Sequence, residues 1–396
     1  MTEPELLDRL RLVAEAFRPA APIDRRGLFS GRTDEIAELY SVVAQPGQHA
    51  VIYGERGVGK TSLVTVVAEM LTGSGVRAAR AICDSSDDFS SVWRKALSEI
   101  SFERTEQGVG FASGTTQTSS SAAALLGPDP VTPHAVARAL QALGHESNLA
   151  VVVDEFDRLQ GTGAKARALF ADTIKTLSDR VAPATIVIVG VADDVSELIR
   201  EHGSVERALV QVRMPRMTRD ELSEIAARGV ESARMTISRP AVARITALSQ
   251  GLPHYTHLLT QLAAQSALAE RRADIATRDV DAAVARALDR AQQSVTEAYY
   301  RATSGDGDER RRILLACALA EEDDFGFFSA DDLGEPLGRI GREAGESLEQ
   351  DLLELARAET VLQRRDNRYR FVNPLLQPYV VMRGLSEGLV KPRDVR

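Results

Sequence analysis

The chain has 396 residues, 44% hydrophobic and 27% charged, with a formal charge of −9; this is the composition of a soluble globular protein long enough for two or three domains. The acidic balance excludes nucleic-acid binding through bulk charge, so any contact with DNA needs a local basic patch. Cys83 and Cys317 lie too far apart to suggest a disulfide framework or a zinc site; the acidic opening MTEPELLDRL, and the lack of any apolar run near about 18 residues, lead us to expect a cytoplasmic protein with neither signal peptide nor membrane span.

In chain order, apolar residues at helical spacing (Leu6, Leu7, Leu10, Val13, Phe17) predict an N-terminal helix, ended by the proline-rich link RPAAPID. LFSGRTDEIAELYSVV reads as a helix running into Val43, with Ser30 or Thr33 as its cap. HAVIY (49–53), a short apolar run stopped by glycine, reads as a buried strand. TSLVTVVAEML after Lys60 reads as a helix and VRAARAI (76–82) as a second strand. Residues 104–133 are rich in Ser, Thr and Gly and lack periodicity, so an inserted flexible loop is expected there. LAVVV (149–153) and ATIVIVG (184–190) are continuous apolar runs of the kind buried on both faces of a parallel sheet, and ALVQVRM (208–214) is a weaker fifth strand. Strands alternating with helices predict an α/β domain up to about residue 216.

Beyond that point TRDE (218–221) is a capping-box signature, and further helices follow Ser238 and Thr277, so 218–303 reads as all helical. After the linker-like TSGDGDER (303–310), the order to about 385 is helix, short helix, long helix, hairpin, helix. The hairpin, TVLQRRDNRYRFV, turns at Asp366-Asn367. This is the winged-helix order.

Two stretches carry chemistry. GERGVGKTS (54–62) fits the phosphate-binding template G-x-x-x-x-G-K-[ST] through Gly54, Gly59, Lys60 and Thr61, between a strand and a helix as the template requires. The backbone of Glu55, Arg56, Gly57 and Val58 would turn its N–H groups toward phosphates, and the helix that follows, through Ser62, would aim its positive end at them. Lys60 would reach the β- and γ-phosphates and the Thr61 hydroxyl would ligate Mg²⁺. VVVDEF (151–156) ends a strand on Asp154, where α/β sheets bind ligands. Asp154 would hold Mg²⁺ through water, and Glu155 would act as general base on the attacking water.

With these motifs in this order, the chain resembles the AAA+ ATPases, in the branch of origin-recognition and replication-initiator ATPases and their bacterial relatives, over about residues 25–385. The resemblance implies that LFSGRTDEI (28–36), with Phe29 and Arg32, contacts adenine. It places IVIVGVADD (186–194) at sensor 1, where Asp193 replaces the usual Asn. It makes SVERALVQVRMPRMTRDEL (204–222) the segment with a trans-acting arginine, for which Arg207 is the candidate and Arg213 and Arg216 the competitors. GLPHYTHLL (251–259) falls at sensor 2, where Pro253 and His254 stand in place of Pro-Arg. A carboxylate repels a γ-phosphate and a histidine is a weak phosphate clamp, so both departures imply slow hydrolysis, suited to a switch.

The C-terminal hairpin carries Arg364, Arg365, Arg368 and Arg370 against Asp366, a patch that could contact DNA phosphates. The helix over 346–359 is acidic, which is wrong for a major groove and favours protein docking or self-inhibition. The expected architecture is therefore α/β: a P-loop NTPase parallel sheet covered by helices, then an all-helical lid and a winged-helix domain. Its divisions are 1–24 N-terminal helix and linker, 25–216 ATPase core, 217–304 lid, 305–386 winged helix and 387–396 tail. Expected ligands are ATP/ADP and Mg²⁺. Expected partners are further copies of the chain and another protein, with DNA open as an alternative. The expected activity is slow ATP hydrolysis that switches assembly. The alternatives are an initiator-like or transposition-regulating ATPase on duplex DNA, and a signalling ATPase held with ADP by its winged helix.

Overall fold

The computed structural model describes residues 1–19, 21–22, 27, 29–107, 115–145, 147–159, 163–199, 205–304, 307–341, 347–357 and 360–395. Parts of the link 18–24, Leu28, the middle of the 104–133 segment, Ser204, part of the 303–310 linker and parts of the 346–359 helix lie outside the described residues. The chain divides into two units: Arg32–Gly54 with Lys60–Met214, and Met1–Gly31 with Glu55–Gly59 and Pro215–Arg396.

The first unit is built on a five-stranded parallel sheet of β1 (His49–Gly54), β2 (Arg77–Ile82), β5 (Leu149–Asp154), β6 (Ala184–Val191) and β7 (Leu209–Arg213), with an antiparallel pair, β3 (Ser101–Gln107) and β4 (Thr115–Ser121), set apart from it. The sheet order is β2-β5-β6-β1-β7, so β6 separates the strand that enters the phosphate-binding motif from the strand that ends on Asp154. Alternate residues of these strands face opposite sides. Val51, Val151, Val153, Ile186 and Ile188 join one apolar cluster with Trp93, Leu140, Phe156, Phe170 and Ile174. Ala50, Ile52, Val152, Val187 and Val189 are buried as well but lie outside that cluster. Both faces are covered, which is why these strands read as unbroken apolar runs. Helices Lys60–Gly73, Phe89–Ser98, Pro133–Gly144 and Gly163–Asp179 flank the sheet. Phe170 anchors the core, with ring centroids 5.1 Å from Phe89, 5.5 Å from Trp93 and 5.0 Å from Phe156.

Two expectations in this unit are corrected. Helix Thr33–Ala44 has Arg32 at its N-cap in the left-handed region (φ 59°) and no side-chain cap, so neither Ser30 nor Thr33 fills that role. In the described part of the 104–133 segment, where a flexible insert is expected from composition, β3 and β4 pair in register from Ser101↔Ser121 to Gln107↔Thr115. A 3₁₀ turn, Ala122–Leu126, then buries Ala122 and Leu126. Threonine supplies strand propensity but the stretch has no apolar alternation, so composition hid the ladder.

In the second unit, helix Glu3–Ala16 opens with a Thr2/Glu5 capping box. Thr218 accepts from the Glu221 amide at 3.3 Å while Glu221 accepts from the Thr218 amide at 2.8 Å, starting helix Arg219–Ser232 as the signature predicts. Helices Arg239–Ser249, Pro253–Ala269, Thr277–Asp289 and Gln293–Ala302 follow, joined by one non-helical feature, a two-residue parallel ladder of β8 (Thr236–Ile237) with β9 (Asp274–Ile275). The C-terminal part runs helix Gly307–Leu319, short helix Gly334–Arg339, helix Leu348–Leu355, hairpin β10 (Leu362–Arg365) and β11 (Arg368–Phe371), and helix Leu376–Ser386. Asp366 and Asn367 both take positive φ (47° and 63°), as a two-residue hairpin turn of the primed type requires. Among the described residues no helix is long and apolar enough to cross a membrane.

Candidate functional site

The carboxyl ends of β1, β5 and β6 bring three predicted residues of the first unit to one edge of the sheet: Gly54, Asp154 and, just past Val191, Asp193. Gly54 (φ 147°) leaves no room for a side chain, since a Cβ there would stand 2.3 Å from the Met214 carbonyl oxygen. Lys60 begins helix Lys60–Gly73 with its side chain buried, and its Nζ donates to the Gly54 carbonyl at 2.8 Å. Thr61 and Ser62 follow it, half-buried.

Asp154 is 2% exposed and fully engaged. Its Oδ1 accepts from the Glu155 amide at 2.8 Å, and its Oδ2 accepts from Arg80 Nη2 on β2 at 2.5 Å. The other Arg80 terminal nitrogen, Nη1, donates to Thr65 Oγ1 at 3.0 Å. Glu155 sits in the left-handed region (φ 54°) and its carboxylate accepts from Arg158 at 2.7 Å. That pair is largely exposed, so it holds the side chain loosely. Val191 donates its amide to Asp157 Oδ1 at 2.8 Å, tying the end of β6 to the turn after β5. Asp194, not Asp193, caps helix Val195–Leu198. Arg207 lies exposed on a 3₁₀ turn before β7.

The turn Glu55–Gly59 belongs to the second unit. Gly57 and Gly59 take φ 92° and 99°, conformations that favour glycine. Arg56 is exposed and Val58 is buried. A Cβ at Gly57 would meet Leu375 at 3.4 Å and Leu252 at 3.8 Å, and one at Gly59 would meet Pro253 at 3.8 Å. Glu55 pairs with Arg216 Nε at 2.7 Å. Arg216 Nη1 bridges to Glu322 at 2.9 Å and donates to Gln377 Oε1 at 2.5 Å and to the Gln250 carbonyl at 3.3 Å. Gln377 in turn donates to the Ala318 carbonyl at 3.2 Å. Glu322 Oε1 is buried with no hydrogen-bond partner. Burial raises the Glu322 carboxyl to about 7 against the opposing pull of Arg216, with Glu55 and Asp323 adding to the rise. Arg216, weighed in sequence as a trans-acting arginine, is thus committed within its own chain, 18% exposed.

Of the other predicted residues, Phe29 offers its carbonyl to Arg228 at 3.4 Å, and Arg32 pairs with Glu35 at 3.0 Å. His254 Nδ1 stands 2.8 Å from the Pro19 carbonyl oxygen, which accepts from the ring. Burial holds the pKa of His254 below the ordinary histidine value, so the ring is neutral near pH 7. The hairpin arginines divide. Arg364 bonds Asn367 and, like Arg365, is exposed. Arg368 pairs with Asp323 at 2.6 Å, while Arg370 bonds Gln363 at 2.8 Å and lies 4.6 Å from the Phe327 ring centroid. Sequence reading missed Arg80, Arg158, Glu322 and Gln377. An arginine in the middle of the apolar run VRAARAI was the one available signal.

The family model described as Novel STAND NTPase 1 matches residues 17–324. Among solved structures, a Walker-type ATPase of Pyrococcus abyssi superposes with TM-score 0.54 at 17% identity, covering 91% of this chain and 98% of its own. The Aeropyrum pernix ORC1 protein, solved in complex with DNA, gives 0.48 at 16% identity, covering 95% and 97%. The RuvB Holliday junction branch migration motor of Thermotoga maritima gives 0.46 at 14%, covering 91% and 96%. No curated protein matches by sequence.

Proposed function

The chain belongs to the Novel STAND NTPase 1 family, and from that premise we propose that it is a slow ATPase whose nucleotide state switches its association with itself or a partner protein. The observation that carries the reading is the placement of the phosphate-loop turn: Glu55 is gripped by Arg216, which also holds Glu322 and Gln377. A loop whose occupant changes is thereby connected to segments far along the chain, as a switch requires.

The residues present fit a magnesium nucleotide. Gly57 and Gly59 provide a glycine turn whose backbone N–H groups would serve as donors, Lys60 supplies a buried ammonium, and Thr61 and Asp154 are the hard oxygen donors magnesium prefers. Bound there, the nucleotide supplies the reactive γ-phosphoryl group and the metal offsets its charge. The Glu55–Gly59 backbone and Lys60 would bind phosphate, Glu155 would accept the proton of the attacking water, and Asp193 would orient that water. Arg207, exposed before β7, is free of the constraints on Arg216 and remains our candidate for a trans-acting arginine. Phe29 and Arg32, with Pro253 and His254, would border the nucleotide; a neutral His254 would do so without a charge. In domain terms we assign 25–216 to the core, 217–304 to a lid and 305–386 to a winged helix.

The grip on Glu55 also favours a second reading, in which the C-terminal segments hold an ADP state closed until a trigger arrives. A DNA-acting ATPase is less favoured, because Arg368 and Arg370 are engaged internally and leave Arg364 and Arg365 as the exposed pair. The test is the mass in solution of the full chain with ADP, with a non-hydrolysable ATP analogue, and with analogue plus duplex DNA. A larger species with analogue that Lys60→Ala does not form supports the switch. Purification with ADP bound supports the second reading, and a larger species requiring DNA and lost steeply with salt supports the third. A Lys60-independent mass in every condition overturns all three.

A further inference from the structure

Both carboxylate oxygens of Asp154 accept from donors of the chain itself. One carboxylate oxygen takes the Glu155 amide at 2.8 Å, and the other takes the Arg80 guanidinium at 2.5 Å. Arg80 reaches it from the neighbouring strand β2, where Ala81 pairs with Val153 and Ile82 with Asp154. Its Nη1 is anchored on Thr65 Oγ1, which itself donates to the Thr61 carbonyl at 2.7 Å. The guanidinium therefore spans from the end of β5 to the first turns of the helix that follows the phosphate loop. Arg80 is 27% and Asp154 3% exposed at the side chain, so water screens their attraction far less than it does the Glu155–Arg158 pair.

We propose that Arg80 is a resident counter-cation of Asp154, a positioning residue that holds the carboxylate in place and competes with the divalent cation for it. This rests on the nucleotide-site reading above. A buried carboxylate prefers to be paired, and Arg80 supplies that partner from within the chain. Metal entry must then either displace the guanidinium or bring a divalent cation up to a fixed positive charge, and both weaken metal binding. The chain accordingly needs a higher Mg²⁺ concentration to change its nucleotide affinity than a site with an unpaired aspartate would.

The experiment is binding of a fluorescent ADP analogue to the full chain, titrated with Mg²⁺ and repeated with Mn²⁺, for wild type, Arg80→Gln and Thr65→Val. Binding, not turnover, is the readout. Removing the like charge is expected to lower the Mg²⁺ concentration that gives half the metal effect by about tenfold. Thr65→Val, which frees one anchor of the guanidinium and leaves its charge, is expected to lower it by a smaller factor. Should Arg80→Gln fail to fold, as judged by its melting curve in EDTA, the Thr65→Val shift decides the question. An unchanged or raised half-effect concentration in the folded variants overturns the proposal while leaving the nucleotide site intact. No binding of the analogue by wild type, with or without metal, overturns the site reading itself.

Discussion

Glu322→Gln should reshape how stability depends on pH. Glu322 is 12% exposed, with Oε2 on Arg216 at 2.9 Å and Oε1 unpartnered; Glu55, Gln377 and Asp323 also face it. Two effects oppose each other: desolvation favours the neutral acid, and the guanidinium favours the carboxylate. Desolvation wins, placing the folded carboxyl at about 7 against 4.5 when unfolded. With the folded pKa raised, the folded state holds the proton longer, so stability falls as pH rises through this window and levels off above it. The full penalty is about 3 kcal/mol, of which about 2.5 kcal/mol develops between pH 5 and pH 8. Glutamine keeps an acceptor for Arg216 and does not titrate. Urea unfolding of wild type and variant at pH 5, 6, 7 and 8 should therefore give curves that diverge in the variant's favour by about that amount. Subtracting the two removes the titrating groups that do not interact with Glu322. Parallel profiles would mean that Arg216 overrides burial, and the account of this cluster would fail.

Glu155→Gln should leave fluorescent-nucleotide binding within about twofold of wild type while lowering single-turnover hydrolysis by roughly 10²–10⁴-fold, the usual weight of a general base; normal turnover would remove Glu155 from that role. Phe170→Ala empties a site shared by Phe89, Trp93 and Phe156 and should cost about 3–5 kcal/mol by chemical unfolding, with less than about 1 kcal/mol showing that the cluster repacks. Thr218→Ala removes the cap of helix Arg219–Ser232 and should cost about 1 kcal/mol. Adding Glu221→Ala should cost less than the sum of the two single changes, because the two caps are reciprocal; full additivity would argue against coupling.

What could be read from sequence, and what could not, follows the range of the interactions. LAVVV and ATIVIVG announced buried strands because both faces of the sheet are covered, and the phosphate-loop template is a local pattern with its strand and helix on either side. The β3–β4 ladder escaped because SFERTEQ and TTQTSSS show no apolar alternation in sequence. Arg80 escaped as a partner of Asp154 because they meet only through the pairing of β2 with β5, 74 positions apart. Arg216 was visible as an arginine in the right segment, but its commitment to Glu55, 161 positions away, depends on how the chain returns to the phosphate loop. Charge and segment can be read locally; a partner across the fold cannot.

The first helix of the chain packs in the unit completed by its last residues. The Phe17 carbonyl accepts from Gln261, 244 positions later, and a Cβ on Gly229 would collide with the Phe17 ring at 2.4 Å. During synthesis, residues 32–214 carry the whole of one unit and emerge as a block interrupted only by the five-residue turn at 55–59. That block can collapse on its sheet while the N-terminal helix still lacks the surface it will cover. The helix Glu3–Ala16 and the turn Glu55–Gly59 therefore wait on residues made after position 214 before they can find their places.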